Sequence, residues 1–308
     1  MRMVKYVVKR LLMLIPVIIG VTLLIYVVMS LAPGNPAELI LGSDATQEAI
    51  AAKEAELGLN EPVLLRYGKY MLNVLRGDFG RSWYNGYNVI DEFMSRVPNT
   101  IILGLLSVSL SIVVGIPFGI LAAVRQNGVI DYATLVVAML FASMPAFWFG
   151  LMAQIFFCIQ LGLLPAVGAD SLVHFIMPAI TLSGGSIAGM VRLTRTSMLE
   201  VIKLDYVRTA RAKGASERRI ISRHVLRNGL LPVVTSVGSH LAVIVGGAIV
   251  TESVFSIPGT GSLMINAVKI RDVPVVMGVI IIIAVFVGCV NLLVDLLYAV
   301  IDPRVKLG

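Results

Sequence analysis

The residues able to do chemistry are few and scattered. Gly184-Gly185-Ser186 and His240 lie in separate apolar stretches, and a serine of this kind needs a histidine within hydrogen-bond reach. Ile187 stands where a G-x-S-G motif has its last glycine, and a long basic segment separates the two stretches, so an intramembrane serine protease is a distant alternative. The one Gly-Lys pair, Gly68-Lys69, is followed by Tyr70 and not by the Ser or Thr of a phosphate-binding loop. His174, His224 and His240 are dispersed, and Cys158 and Cys289 sit in apolar stretches, so neither metal ligation nor redox chemistry is expected. Glu252 and Asp295 lie at the ends of such stretches and read as interfacial anchors, which argues against an ion-coupled carrier with a relay at mid-membrane. No catalytic group and no cofactor site is expected.

The strongest pattern is a docking element. Ten of the 25 Lys and Arg residues fall in the segment 192–227. Within it Tyr206, Thr209, Ala210 and Lys213 recur at i, i+3, i+4 and i+7, which predicts one face of a short helix with Asp205 as N-cap and Gly214 as its stop. Ser216 is placed to cap a second helix carrying Arg218, Arg219 and Arg223 towards Pro232. The charges alone satisfy the rule that cytoplasmic loops are basic. The helix-glycine-helix pattern adds a rigid element suited to a partner's groove and to transmitting that partner's motion. Nucleic acid is not the expected partner, because the charges sit beside the membrane with few aromatics among them.

The scaffold follows from composition. Of 308 residues 57% are hydrophobic and 14% charged, and the mean hydropathy of +0.91 exceeds what a soluble domain of this size can bury. Six windows carry no Asp, Glu, Lys or Arg: 11–31, 97–124, 132–169, 171–191, 228–251 and 273–294. Each is long enough to cross a hydrocarbon core of roughly 30 Å as a helix. A charge at the helix centre costs about 2.5 to 3.5 kcal/mol, so the clearing of charge from six windows predicts an all-α integral membrane fold with six transmembrane helices. An open sheet would leave backbone groups unsatisfied in lipid, and the windows lack the alternation of a barrel. The first window follows Arg2, Lys5, Lys9 and Arg10 but is too long for a signal peptide and has no small-residue cleavage site, so it reads as a retained anchor. Charge asymmetry places both termini, the turn at 125–131 and the basic loop in the cytoplasm.

The opposite side then receives the segment 32–96, with nine acidic and six basic residues, too long for a simple connector. It reads as partly folded, with a helix over 46–57 capped by Thr46 and closed by Gly58, and another over 63–75. The expected organisation is an anchor plus extracytoplasmic segment over 1–96, then a core of five crossings over 97–302 with the basic loop 192–227. Pro16, Pro117, Pro145, Pro178 and many glycines promise kinks and close helix packing, with no role assigned to any one.

Asp205-Tyr206-Val207-Arg208-Thr209-Ala210-Arg211-Ala212-Lys213-Gly214, followed by Arg223-His224, Leu226-Arg227-Asn228 and Leu231-Pro232, resembles the EAA loop of binding-protein-dependent ABC importer permeases. Arg208 and Thr209 stand where Glu and the first Ala are usual, a form common in the dipeptide, oligopeptide and nickel branch. The resemblance extends along the chain through Pro33-Gly34-Asn35-Pro36, Gly77-Asp78-Phe79-Gly80-Arg81-Ser82, Ser143-Met144-Pro145-Ala146-Phe147-Trp148 and Asp302-Pro303-Arg304. It implies a type I importer permease in the cytoplasmic membrane of a prokaryote. The implied partners are a second homologous permease, two ATP-binding subunits that do the hydrolysis, an extracytoplasmic substrate-binding protein and membrane lipid. Asp205, Tyr206, Arg208, Thr209, Ala210, Lys213 and Gly214 would form the coupling helix. Glu252, Phe255, Pro258, Gly259 and Gly261 would lie near the external gate, and the segment 32–96 would face the binding protein. Small peptides are the implied cargo, with nickel, a metal chelate or glutathione as alternatives. On this reading Gly214→Pro, or a bulky residue at Ala210, is expected to abolish substrate-stimulated ATP hydrolysis while leaving membrane insertion intact. Unchanged coupling would refute the docking role.

Overall fold

The computed structural model describes residues 2–42, 44–238 and 248–301, with side chains for 6–42, 44–238 and 248–296. Among these residues the chain is helical, and the only extended pairing is an isolated bridge between Arg81 and Asn88. Four helices are long and apolar enough to cross a membrane: Tyr6–Leu31, Val89–Val124, Leu172–Ile202 and Val273–Leu296. Val129–Ser143 and Ala146–Gln160 make a fifth candidate, bent by 98° at the junction. The sixth expected crossing, window 228–251, includes residues 239–247, and these, like His240 and Asp302-Pro303-Arg304, lie outside the described residues.

Two expectations need correction. The window 132–169 is not one straight span, because Pro145 has no N–H and the residue before it is driven to extended geometry, with Met144 at ψ 128°. Pro16 and Pro117 sit within unbroken helices, and Pro178 lies in the first turn of Ile176–Ile202, where a missing N–H is harmless. The basic segment also does not begin as a loop at residue 192. The helix runs on to Ile202, so Arg192, Arg195 and Glu200 ride on about three further turns.

Packing divides the chain into two units. The first joins the residues up to Thr100 with Pro258–Leu293. The segment 32–96 is folded there as its caps predict: Thr46 accepts from the Ala49 N–H at 3.3 Å and starts Gln47–Glu56, Gly58 follows at φ +68°, and Val63–Leu75 forms the next helix. Asn35 accepts from the Ala37 N–H at 2.9 Å and donates to Glu54, tying the short helix Pro36–Leu41 to Gln47–Glu56. Asp272 accepts from the Ser82 hydroxyl and from the Trp83 N–H at 3.1 Å, and Arg271 donates to the carbonyls of Ala32 and Gly34. These bonds hold the segment 32–96 to the start of Val273–Ile301, over a core of Val89, Phe93, Leu263, Val276 and Val279.

The second unit, Ile101–Ile257 with Val294–Tyr298, is organised around Ile176–Ile202. Val89–Val124 approaches that helix through Gly115 and Gly119, a small-xxx-small pair. A Cβ at Gly115 would stand 2.6 Å from Met190 Cβ, and one at Gly119 would stand 2.6 Å from Thr194 Cβ and 2.8 Å from the Val191 carbonyl oxygen. Asp131, fully buried, accepts both a 2.6 Å and a 2.7 Å bond from the Arg195 guanidinium and a 2.9 Å bond from the Asn127 N–H. The turn before Val129–Ser143 is thereby clamped to the helix that leads into the basic loop.

Gly119→Ala is expected to destabilise the chain by about 1 to 3 kcal/mol through overpacking against backbone. The change should appear as a lowered thermal midpoint in detergent. Gly189→Ala, whose Cβ would meet nothing within 4 Å, should leave the midpoint unchanged or raise it. Equal midpoints for both variants would refute the close approach.

Candidate coupling loop and gate segment

The loop helix forms where the spacing predicts, over Asp205–Ala212, but its start differs. Leu204 is the N-cap residue and Asp205 is the first helical one, where its carboxylate favours the positive end of the helix dipole and reaches Arg208 at 3.9 Å. The stop is as expected. Gly214 adopts φ +79°, its N–H bonds the Arg211 carbonyl at 2.9 Å, and the Ala215 N–H bonds the Ala210 carbonyl at 3.2 Å, the two bonds of a Schellman motif. Lys213 is the C-cap.

Three residues of the predicted face, Tyr206, Thr209 and Lys213, are exposed. Val207 is fully buried, in a cluster with Ala123, Met198, Val201, Ile220 and Val225, and Ala210 packs half-buried on the same cluster. Tyr206 is tied down by its hydroxyl, which accepts from Asn228 Nδ2 at 2.8 Å and donates to the His224 carbonyl at 3.3 Å. Exposed beside Tyr206, Thr209 and Lys213 are Leu204, Arg208 and Ala212. A bulky residue at Ala210 would thus disturb the chain's own core rather than block a groove. The periodicity marked one face of the helix and gave no sign that Val207, beside Ala210, is the residue that enters the core, since a lone valine among polar residues carries no pattern.

Beyond the stop, Ser216 is the N-cap residue but its side chain makes no capping bond. The expected second helix is a short turn, Glu217–Arg219, continued as π-helix over Ile220–Val225 and as Leu226–Gly229. The wider π turn buries Ile220 and Val225 together while Arg218, Arg219 and Arg223 stay exposed. Arg211 donates to both carboxylate oxygens of Glu217, at 2.7 and 3.3 Å, stapling the two arms of the loop. That guanidinium holds the Glu217 carboxyl below its ordinary range and raises its own pKa in turn. At the base of the loop Ser197 donates to the Gly229 carbonyl at 2.7 Å, and Gly229 lies against Met198.

The residues expected near the external gate divide between the two units. In the second, Glu252 on Ile249–Val254 is fully buried, not the interfacial anchor that its position at the end of a window suggested, and Phe255 is buried with Leu103, Phe175, Met177 and Ile257. The Phe255 carbonyl accepts from the Gly168 N–H at 3.1 Å, which fixes the connector after the bent span. In the first, the Pro258 carbonyl accepts from Asn99 Nδ2 at 2.9 Å, and Gly259 is the N-cap of Thr260–Lys269, its N–H bonded to Ser262 Oγ at 3.0 Å. The Thr260 N–H bonds Thr100 Oγ1 at 2.9 Å, and Gly261 is buried beside it. The backbone turns at Ser256, φ +51°, between the two groups.

Residues 115–307 match the family model of the binding-protein-dependent transport system inner membrane component, and residues 3–104 match that of its N-terminal part. The chain is 40% identical to the dipeptide transport system permease protein of Alkalihalophilus pseudofirmus, covering 99% of this chain and 100% of that one. It is also 40% identical to the glutathione transport system permease protein of Escherichia coli K12, covering 99% of each. Among solved structures, an inward-facing form of the MetNI methionine ABC transporter shares the fold, with a TM-score of 0.59 at 18% identity over 68% of this chain and 96% of that one. Two family models that between them take in nearly all of the sequence, and relatives alike from end to end, establish that the chain belongs to the binding-protein-dependent transport system inner membrane components, the permeases of ABC importers.

Proposed function

We propose that the chain is the pore-forming permease of an ATP-driven importer of small peptides, crossing the cytoplasmic membrane six times with both termini inside. The observation that carries this is the Asp205–Ala212 helix, which is anchored to its own chain by Val207 and Tyr206 and offers Leu204, Arg208, Thr209 and Ala212 outward. Such a helix serves as a handle. A separate ATP-binding subunit would grip that face, and closure of two such subunits would draw this permease and a homologous second one into the alternate access state. Force entering at the helix passes through the Val207, Ile220 and Val225 cluster to Ile176–Ile202, and through Arg195 and Asp131 to the bent span. Residues 1–96 supply the anchor and the folded extracytoplasmic segment that faces a substrate-binding protein, and 97–302 supply the core. The residues from Glu252 to Gly261 serve the external gate. Glutathione, the cargo named for one relative, is itself a short peptide and stays within the proposed class.

The direct test is uptake of a labelled dipeptide into vesicles carrying the complex with its partner subunits. ATP-dependent accumulation is expected, whereas accumulation by this chain alone would overturn the reading. Leu204→Asp should leave the thermal midpoint of the chain unchanged and lower peptide-stimulated ATP hydrolysis by an order of magnitude or more, while Val207→Asp should lower both, since it buries a charge. Full coupling in Leu204→Asp would sink the assignment of the outer face.

The Arg211–Glu217 staple has a defined pH dependence. The Glu217 pKa is lower in the folded loop than in the unfolded chain, so its contribution is present above the ordinary carboxylate range and is lost as pH falls through the lowered value. Being exposed, the pair contributes little at high salt. Hydrogen-exchange protection around Ala215, corrected for intrinsic rate, should fall at acid pH in low salt, and Glu217→Gln should remove that dependence.

A further inference from the structure

Two cavities flank the bent span in the second unit, one almost wholly apolar and one of mixed lining, sharing Phe141 and Gly184. The larger, about 420 Å³, is walled by residues such as Val114, Phe118, Val137 and Ile187, with Thr134 its only polar side chain. The smaller, about 290 Å³, holds Thr181, Gly185 and Ser186, and is lined by Ala142 and Ala146 from the two sides of the break. Thr181 is 3% exposed, and its hydroxyl has no hydrogen-bond partner.

The backbone at the break is also unsatisfied. Pro145 brings no N–H to the Phe141 carbonyl, and the 98° bend carries the amides of Ala146 and Phe147 away from the carbonyls of Ala142 and Ser143. Those amides open a new helix, Ala146–Ala153, and have no acceptor within it. At membrane depth, irregular backbone is tolerated only where protein buries it or where it lines a water-filled cavity, and broken helices of this kind hold solute in other transporters.

We infer that the smaller cavity is part of the solute pathway and that it binds the main-chain amides of a passing peptide. This rests on the proposed peptide-importer reading. The Phe141 and Ala142 carbonyls that accept, the Ala146 amide that donates, and the hydroxyls of Thr181 and Ser186 that do both belong to residues of the lining and match a peptide group, which is itself one donor and one acceptor. No ionisable side chain lines the cavity, so the sites contact what all peptides share and ignore what distinguishes them. Water fills the same bonds when no peptide is present.

The test uses the complete complex in vesicles, with Cys158→Ala and Cys289→Ala in this chain, carrying Ser186→Cys, Gly185→Cys or Val137→Cys. A Cβ at Gly185 meets nothing within 4 Å, so that variant has room to fold. Thiols react with a membrane-impermeant methanethiosulfonate as thiolates in water. Ser186→Cys and Gly185→Cys should react at least about tenfold faster than Val137→Cys, on the apolar wall, and a dipeptide with its binding protein and ATP should slow them. Reaction of both at the Val137→Cys rate overturns the pathway assignment. Thr181→Val should lower uptake of dipeptides with unlike side chains by one common factor, roughly two- to tenfold for a single hydrogen bond. Unchanged uptake, or a factor that follows the side chain, overturns amide recognition. Absence of ATP-dependent peptide uptake in the unmodified complex would fall on the importer reading, while the labelling rates decide the pathway by themselves.

Discussion

The constraint on which the rest depends is that a chain in lipid must satisfy its own backbone. Every peptide group without water has to find a partner in the chain, so the spans are helices, and each departure from a helix requires a local reason. The reasons here differ in kind. Pro145 removes a donor and turns one span through 98°. The π segments Gln154–Gln160 and Ile220–Val225 keep their hydrogen bonds while widening the turn, which rotates the side chains that follow. Of these, only the proline break leaves main-chain groups without helical partners, and it does so beside a buried hydroxyl in the same state.

Stiffness is built into the loop that follows Ile176–Ile202. A helix of eight residues is not stable alone in water. It persists because Val207 enters a core shared with Met198 and Val201 of the long helix, and because the Schellman stop, the Tyr206 bonds and the Arg211–Glu217 staple fix its two ends. The buried Asp131–Arg195 pair extends the same rigidity to the bent span. A buried pair of this type adds little net stability, since desolvation offsets most of the attraction, but its two parallel bonds admit one geometry. Its value is register: the Val129–Ser143 helix cannot slide past the long helix without breaking both bonds and leaving the buried Asp131 carboxylate unpaired.

Close approach does the complementary work. Gly115 and Gly119 let two long helices meet backbone to side chain, where van der Waals contact replaces the hydrophobic drive that lipid does not supply. In the first unit Gly278 sits against Val89 in the same way. The segment 32–96 is secured differently, by Asp272 and Arg271 through side-chain to backbone bonds.

Sequence alone determined the helical membrane class, because clearing charge from long windows has no other use, and it determined the family through the loop pattern. It also located Gln47–Glu56, Val63–Leu75 and the Gly214 stop, since caps and stops act within a few residues. Tertiary structure decided what depends on partners far apart in the chain. Four prolines looked alike, and only packing shows that Pro145 breaks its helix while Pro16 and Pro117 do not. Asp131 and Arg195 stand 64 positions apart, and nothing local marks them as a pair. Which residue of Asp205–Ala212 enters the core was likewise not legible, because the spacing marks the face of Tyr206, Thr209, Ala210 and Lys213 while the lone Val207 beside it carries no pattern, and only the neighbouring core tells which side is covered.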